Sequence, residues 1–210
     1  IRDGDVLLHH PYQSFEPVVD FIRRAAQDPD VVAVKQTVYR TGVDSVLMEA
    51  LLDAARRGKE VTVVVELFAR FDEEANMDWA EQLESAGAQV VYGVFGFKAH
   101  AKLALLTRRE TDAQGRFKLV QYAHLGTGNY HLRTTRQYTD FGLLTADTAI
   151  CADVNEVFLH ITSLAKAGRL SRLLLAPFTM HRRILALIQR ETRNAKRGKP
   201  ARIIAKMNGL

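Results

Sequence analysis

Between residues 15 and 93, apolar runs with the two-residue period of a strand alternate with runs at helical spacing. "FEPVVDFIRRAAQ" (15–27) predicts an amphipathic helix that ends ahead of Asp28-Pro29. "VVAVKQTVY" (31–39) is rich in β-branched residues and predicts a buried strand. "DSVLMEALLDAARRG" (44–58) predicts a helix with an Asp cap and a Gly stop, and "KEVTVVVELFA" (59–69) the clearest strand of the chain. "DEEANMDWAEQLESAG" (72–87) carries acids in its first turn and Gly87 after its last, again a capped helix, and "AQVVYG" (88–93) predicts another strand.

Beyond residue 93 the pattern changes. "HAKLALLTRR" (100–109), "GRFKLVQYAHLG" (115–126) and "YTDFGLLTAD" (138–147) are three strand-like runs with no helix between them, and the polar stretch 110–115 reads as a hairpin connection. "ADTAICADVNEVFLHITSLAKAG" (146–168) predicts a closing helix. A break near Gly168, a basic helix and a final strand, "ARIIAKMNG" (201–209), follow. The fold class expected is α/β, a mixed sheet flanked by helices. No short-period repeat or low-complexity segment interrupts it.

With 210 residues, one large domain or one domain plus part of another is expected. A hydrophobic fraction of 47% and a charged fraction of 25% are those of a soluble globular protein. No apolar run approaches the roughly 18 to 20 residues of a membrane span. The chain begins with Ile and shows no secretory signal. A single cysteine, Cys151, cannot build an internal disulfide or a cysteine-rich metal site, and it fits a reducing compartment. The net charge of +5 is unevenly placed, because residues 181–206 hold many bases and one acid, Glu191. That stretch suits a polyanion such as nucleic acid, polyphosphate or anionic lipid, and suits equally a solvated helix face with snorkelling arginines.

Ligands of open α/β sheets bind outside the carboxyl ends of strands. Arg40 follows the run 31–39 and Arg70 the run 59–69. Two guanidinium groups on one rim suit bidentate phosphate binding, although either could pair with a nearby acid, Asp44 or Asp72. His100 and Lys102, two residues apart in a strand, project to one face, and an anion between them would reconcile two bases there. Downstream, "HLGTGN" (124–129) closes a strand. Gly126 and Gly128 let backbone amides approach a ligand, while Thr127 and Asn129 offer side-chain donors and acceptors. A lone His-x-Lys arises by chance and a Gly-Thr-Gly-Asn run can be a plain turn, but the two together are a much rarer pair.

This pair resembles the phospholipase D superfamily, in which a histidine attacks phosphorus. Neutral imidazole is a competent nucleophile, and a lysine beside it favours the neutral form and offsets phosphoryl charge. The superfamily's aspartate a few residues after the lysine is missing, since Thr107 stands there. That departure argues against an ordinary lipase or nuclease. "HHPYQSFEPVVDFIRRAAQDPDVVAVKQTVYR", "VTVVVELFARFDEEAN", "GFKAHAKLALLTRR", "YAHLGTGNYH" and "RQYTDFGLLTAD" resemble the bacterial polyphosphate kinase family across most of residues 9–147.

The resemblance implies a phospholipase D-like mixed sheet and reversible transfer of the terminal phosphoryl group of ATP to inorganic polyphosphate, with Mg2+ and a phosphohistidine intermediate. His100 matches the phosphorylated histidine, with Lys102 and Asn129 beside it. Arg40 and Arg70 match a magnesium-phosphate pair, gripping phosphate oxygens that carry the metal, since guanidinium cannot ligate a cation. Tyr138 matches a nucleotide-contacting tyrosine. His124 matches a second family histidine, for which a structural and a catalytic role both stand open. The remaining histidines, at 9, 10, 131, 160 and 181, are expected to be structural or at the surface.

Superfamily members join two His-x-Lys halves around one phosphate, and no other histidine here has a fitting neighbour. Residues 1–168 are therefore expected to form a first phospholipase D-like catalytic domain and 169–210 the start of a second. A fragment of this kind is expected to bind phosphate or nucleotide weakly, to show little kinase activity, and to leave a strand edge open to association. The intact enzyme is expected to be a cytoplasmic homo-oligomer, with room for peripheral membrane association and no nucleic-acid partner. The competing readings are a phosphodiesterase acting on nucleic acid or lipid, and a non-catalytic polyanion-binding module built on the basic C-terminal stretch.

Overall fold

The structure, a computed structural model, describes residues 1–39, 45–66, 73–93, 99–112, 114–163 and 168–206. In chain order the elements are β1 (Val6–His10), α1 (Glu16–Gln27), β2 (Val31–Val38), α2 (Val46–Arg56), β3 (Glu60–Val65), α3 (Glu73–Ser85), β4 (Gln89–Tyr92), β5 (Lys102–Thr111), β6 (Phe117–Gly126), β7 (Asp140–Thr145), α4 (Thr148–Ser163) and α5 (Met180–Lys196). Among the described residues one sheet of seven strands runs in the order β1-β7-β6-β5-β2-β3-β4. Strands β2, β3 and β4 are parallel, while β5, β6, β7 and β1 add antiparallel on the other side of β2.

The period-two pattern explains the layers. Val34 and Val38 of β2, Val61, Val63 and Val65 of β3, and Ala104 and Leu106 of β5 turn to one face, where α1 and α2 bring Val18, Ile22, Met48 and Leu51. Alternate residues, Val64, Leu103, Leu105 and Ala123, pack on the other face against Val154, Val157 and Phe158 of α4. A strand covered on both faces reads as a continuous apolar run, which is why 59–69 stands out in the sequence. The cap of α2 is Ser45, whose Oγ accepts from Met48 N at 3.4 Å; Asp44 lies outside the described residues.

Two expectations change. Strand β1 carries no strong strand signature in its five residues, and it exists because β7 offers an open edge to which Leu8 pairs opposite Gly142. The final strand expected at 201–209 is not formed over the described residues 201–206, which pair with no strand among the described residues. After α4 the chain is tied back to it: the buried Asp153 carboxylate accepts backbone N–H groups from Ser171, Arg172 at 2.6 Å and Leu173 at 2.8 Å. Burial raises the Asp153 pKa, but these N–H groups outweigh it and hold the carboxyl below its ordinary value.

Because β5 runs antiparallel to β2, its start lies beside the carboxyl end of β2. The end of β6, the start of β7 and the end of β1 fall on the same edge, in the register Lys102↔Gly126, Gly126↔Gly142 and His10↔Asp140.

Candidate active site

His100 sits just before β5 begins and is exposed at this edge. Its backbone is pinned on both sides by buried side chains. The Glu66 carboxylate, at the end of β3 and 3% exposed, accepts from Ala99 N at 2.9 Å. The Thr37 hydroxyl, on β2, donates to Ala101 O at 2.7 Å and accepts from Leu103 N at 3.0 Å. The Lys102 ammonium donates to the His100 carbonyl at 2.6 Å and lies 5.0 Å from the centre of the Tyr39 ring. The His100 ring meets the same Tyr39 ring edge-on, with centroids 5.1 Å apart. Lys102 itself is buried, whereas His100 is exposed. They converge on Tyr39, which supplies a cation–π face to one and an edge contact to the other.

The second motif lies directly alongside, since Lys102 pairs with Gly126. Thr127 Oγ1 donates to Asp140 Oδ1 at 2.8 Å and accepts from Phe141 N at 2.9 Å. A Cβ on Gly128 would lie 2.4 Å from Asp140 Oδ2, and one on Gly126 3.2 Å from His124 Cε1. Gly128 is thus required first by the packing of the protein's own side chains, and Gly126 fits closely against the His124 ring. Asn129 closes the loop with its Oδ1 buried and without a hydrogen-bond partner.

His124 points into the α1 side of the sheet and is 1% exposed. Its Nδ1 is 2.8 Å from the Tyr130 hydroxyl, and burial, with His10 nearby as a lesser cause, pushes its pKa down to about 3. A Cβ on Gly142 would fall 2.9 Å from His124 Nε2 and 3.3 Å from His10 Nε2, so this glycine makes room for both rings.

Tyr138 is exposed beside the same edge, two residues before Asp140. Arg40 and Arg70 lie outside the described residues. Beside His100 a cleft of about 330 Å³ opens between α4 and the segment 174–180, with Ala99, Ala101, Val157 and Phe178 among its walls. Among the described residues no group of three His, Cys, Asp or Glu side chains could hold a metal ion, and no helix is long and apolar enough to cross a membrane.

Sequence reasoning did not single out Glu66, Thr37, Tyr39 or Asp140. One signal was available for Glu66: a carboxylate directly after five apolar or β-branched positions, inside a predicted strand, must meet a donor.

A mixed sheet with helices on both faces, and a His-x-Lys segment beside a Gly-Thr-Gly-Asn loop at one edge, define a phospholipase D-like fold. The structure of Nuc from Salmonella typhimurium, a phospholipase D family member, shares that fold with a TM-score of 0.55 and 15% identity over 81% of this chain and 99% of that one. The model of "Polyphosphate kinase C-terminal domain 1" matches residues 1–167 and that of "Polyphosphate kinase C-terminal domain 2" matches 173–210. The chain belongs to the polyphosphate kinase family. It is 61% identical over its full 210 residues to the polyphosphate kinase of Neisseria meningitidis serogroup A, of which it covers 30%. The polyphosphate kinase structure from Porphyromonas gingivalis matches 94% of this chain at 42% identity and a TM-score of 0.81, and the chain covers 32% of that protein. The chain therefore spans about a third of the length of these relatives.

Proposed function

We propose that the intact protein transfers the terminal phosphoryl group of ATP to inorganic polyphosphate, reversibly, through a phosphohistidine at His100. A ring nitrogen of His100 attacks the γ-phosphorus, the bond to the β–γ bridging oxygen breaks, and ADP leaves. The terminal oxygen of a polyphosphate chain then attacks the phosphoramidate, lengthening the chain by one unit and restoring the imidazole. The observation that carries the reading is the pairing of Lys102 with Gly126, which sets the two motifs side by side at an edge where His100 is exposed. Backbone atoms held at 99, 100 and 101 reduce the reorganisation needed at the reacting group.

Lys102 and the Asn129 amide are assigned to the transferring phosphoryl group, Tyr138 to the nucleotide, and Arg40 and Arg70 to phosphate oxygens. His124 is assigned a structural part beneath the site. Mg2+ is expected to arrive on the nucleotide, where it neutralises phosphate charge, with Arg40 and Arg70 gripping the phosphate oxygens that carry it. Residues 1–168 are taken as one catalytic domain and 169–210 as the start of a second. A cytoplasmic homo-oligomer, with peripheral membrane association left open, completes the assignment.

The test is His100→Ala in the intact protein, followed by phosphorus NMR after ATP treatment. The acid-labile phosphoramidate signal and polymer synthesis are both expected to vanish. Normal chain growth in that variant removes His100 from its role.

A further inference from the structure

Strands β2 and β3 stay paired as far as Val38 and Val65, and one further bond, from Glu66 N to Val38 O at 2.9 Å, closes the ladder. Beyond it the backbone carbonyls of Tyr39 and Glu66 come within reach of one nitrogen, and two acceptors cannot satisfy each other. Asn76, the fourth residue of α3, reconciles them. Its Nδ2 donates to Tyr39 O at 3.1 Å and to Glu66 O at 3.2 Å, so one amide nitrogen ties the ends of two strands. The residue is 1% exposed. Two carbonyl partners also fix which end of the amide is nitrogen. A carboxylate of the same shape has no hydrogen to give and a hydroxyl has only one, so the position calls for a primary amide.

The setting of His100 hangs from these two carbonyls. Glu66, held by Asn76 at its carbonyl, accepts from Ala99 N at 2.9 Å through its carboxylate. Tyr39, held at its carbonyl by the same nitrogen, meets the His100 ring edge-on at 5.1 Å and the Lys102 ammonium at 5.0 Å. Tyr39 is also the residue before Arg40, and Asn76 follows Arg70 by six positions. A hydrogen bond to a strand-end carbonyl stabilises any sheet. What distinguishes this one is that both of its partners carry side chains that touch residues 99–102. A small shift of either strand end is therefore passed to the imidazole, and rates of group transfer respond steeply to displacements of that kind.

We propose that Asn76 is a positioning residue for phosphoryl transfer at His100, holding the ends of β2 and β3 at the spacing from which Tyr39 and Glu66 present the histidine; this rests on the function proposed above. The variants are Asn76→Ala and Asn76→Asp in the intact protein, assayed by rapid quench with labelled ATP below every melting transition. Asn76→Ala is expected to slow phosphoenzyme formation at saturating ATP by about tenfold or more. Added to Glu66→Ala, it is expected to cost less than about a further threefold, because the two residues act through one support. In Asn76→Asp the acid, buried against two carbonyls, is expected to titrate above the ordinary carboxylate range and to donate one hydrogen bond only when protonated. Its deficit against the unsubstituted protein should therefore shrink by about threefold or more from about pH 8 to about pH 6, while that of Asn76→Ala stays level. A lowered melting temperature with an unchanged phosphorylation rate overturns the proposal, since a purely structural tie behaves in that way. So does a double variant whose loss is the product of the two single losses, or an Asn76→Asp deficit that ignores pH. Hydrogen exchange at the Ala99 amide gives a readout independent of catalysis, and is expected to quicken about tenfold or more in Asn76→Ala; an unchanged rate there also overturns the proposal. Should the unsubstituted protein form no phosphoenzyme while exchange at Ala99 still quickens in the variant, the support of residues 99–102 by Asn76 stands and the kinase reading falls.

Discussion

The clamp around residue 100 gives the sharpest handle on mechanism. Glu66 accepts from Ala99 N at 2.9 Å with 3% of the residue exposed, so its bond is charge-assisted and shielded from water. Such a bond contributes about 1.5–3 kcal/mol net. With every 1.4 kcal/mol worth a factor of ten, deleting it shifts the balance between pinned and released backbone by about 10- to 150-fold. Glu66→Ala is therefore expected to slow formation of the acid-labile phosphoenzyme at saturating ATP by about tenfold or more, while the ATP concentration at half-rate moves less than about twofold. Glu66→Gln keeps the shape and an acceptor oxygen, and is expected to recover most of the loss. Thr37→Val, which leaves Ala101 O and Leu103 N without their side-chain partner, is expected to give a deficit of similar kind. The assay is rapid quench with labelled ATP on the intact protein, with melting temperatures beside it. Phosphorylation of Glu66→Ala at the unsubstituted rate would show that the clamp has no part in presenting the nucleophile.

Two more outcomes come from the packing. His124 stays neutral in the fold with a pKa of about 3 against about 6.5 unfolded, so its contribution is complete above pH 6.5 and is lost as pH falls toward 3. Between pH 6.5 and 4.5 that loss is on the order of 2–3 kcal/mol, and His124→Asn should flatten the fall in melting temperature across that window; identical slopes would refute it. Gly128→Ala places a methyl group against the Asp140 carboxylate, and is expected to cost about 1–3 kcal/mol and to disturb the loop carrying Asn129. A variant with unchanged melting and activity would mean that Asp140 moves aside freely.

The helices and buried strands were legible because their signal is local. Positions 61–65 are apolar or β-branched throughout since β3 is covered on both faces, and α1 and α2 carry their apolar residues at helical spacing. Strand β1 was not, because five residues derive their strand character from β7, some 130 positions away. At the site, His100, Lys102 and the loop 124–129 could be picked out by residue type and spacing. What spacing could not convey is that Lys102 is buried and turned onto the His100 carbonyl, or that Glu66 and Thr37 hold the residues flanking His100. Those contacts join β2, β3 and the start of β5, and depend on a parallel and an antiparallel pairing formed together.

The carboxylate of Asp153 bears on how the rest of the protein is hung. Four donors from residues 171–173 converge on it, and residue 173 is where the match to the second domain begins. The junction is thus a bolted bracket on α4 rather than a loose tether. The path of the chain as it leaves α4 is therefore set at Ser171, Arg172 and Leu173 by this one carboxylate.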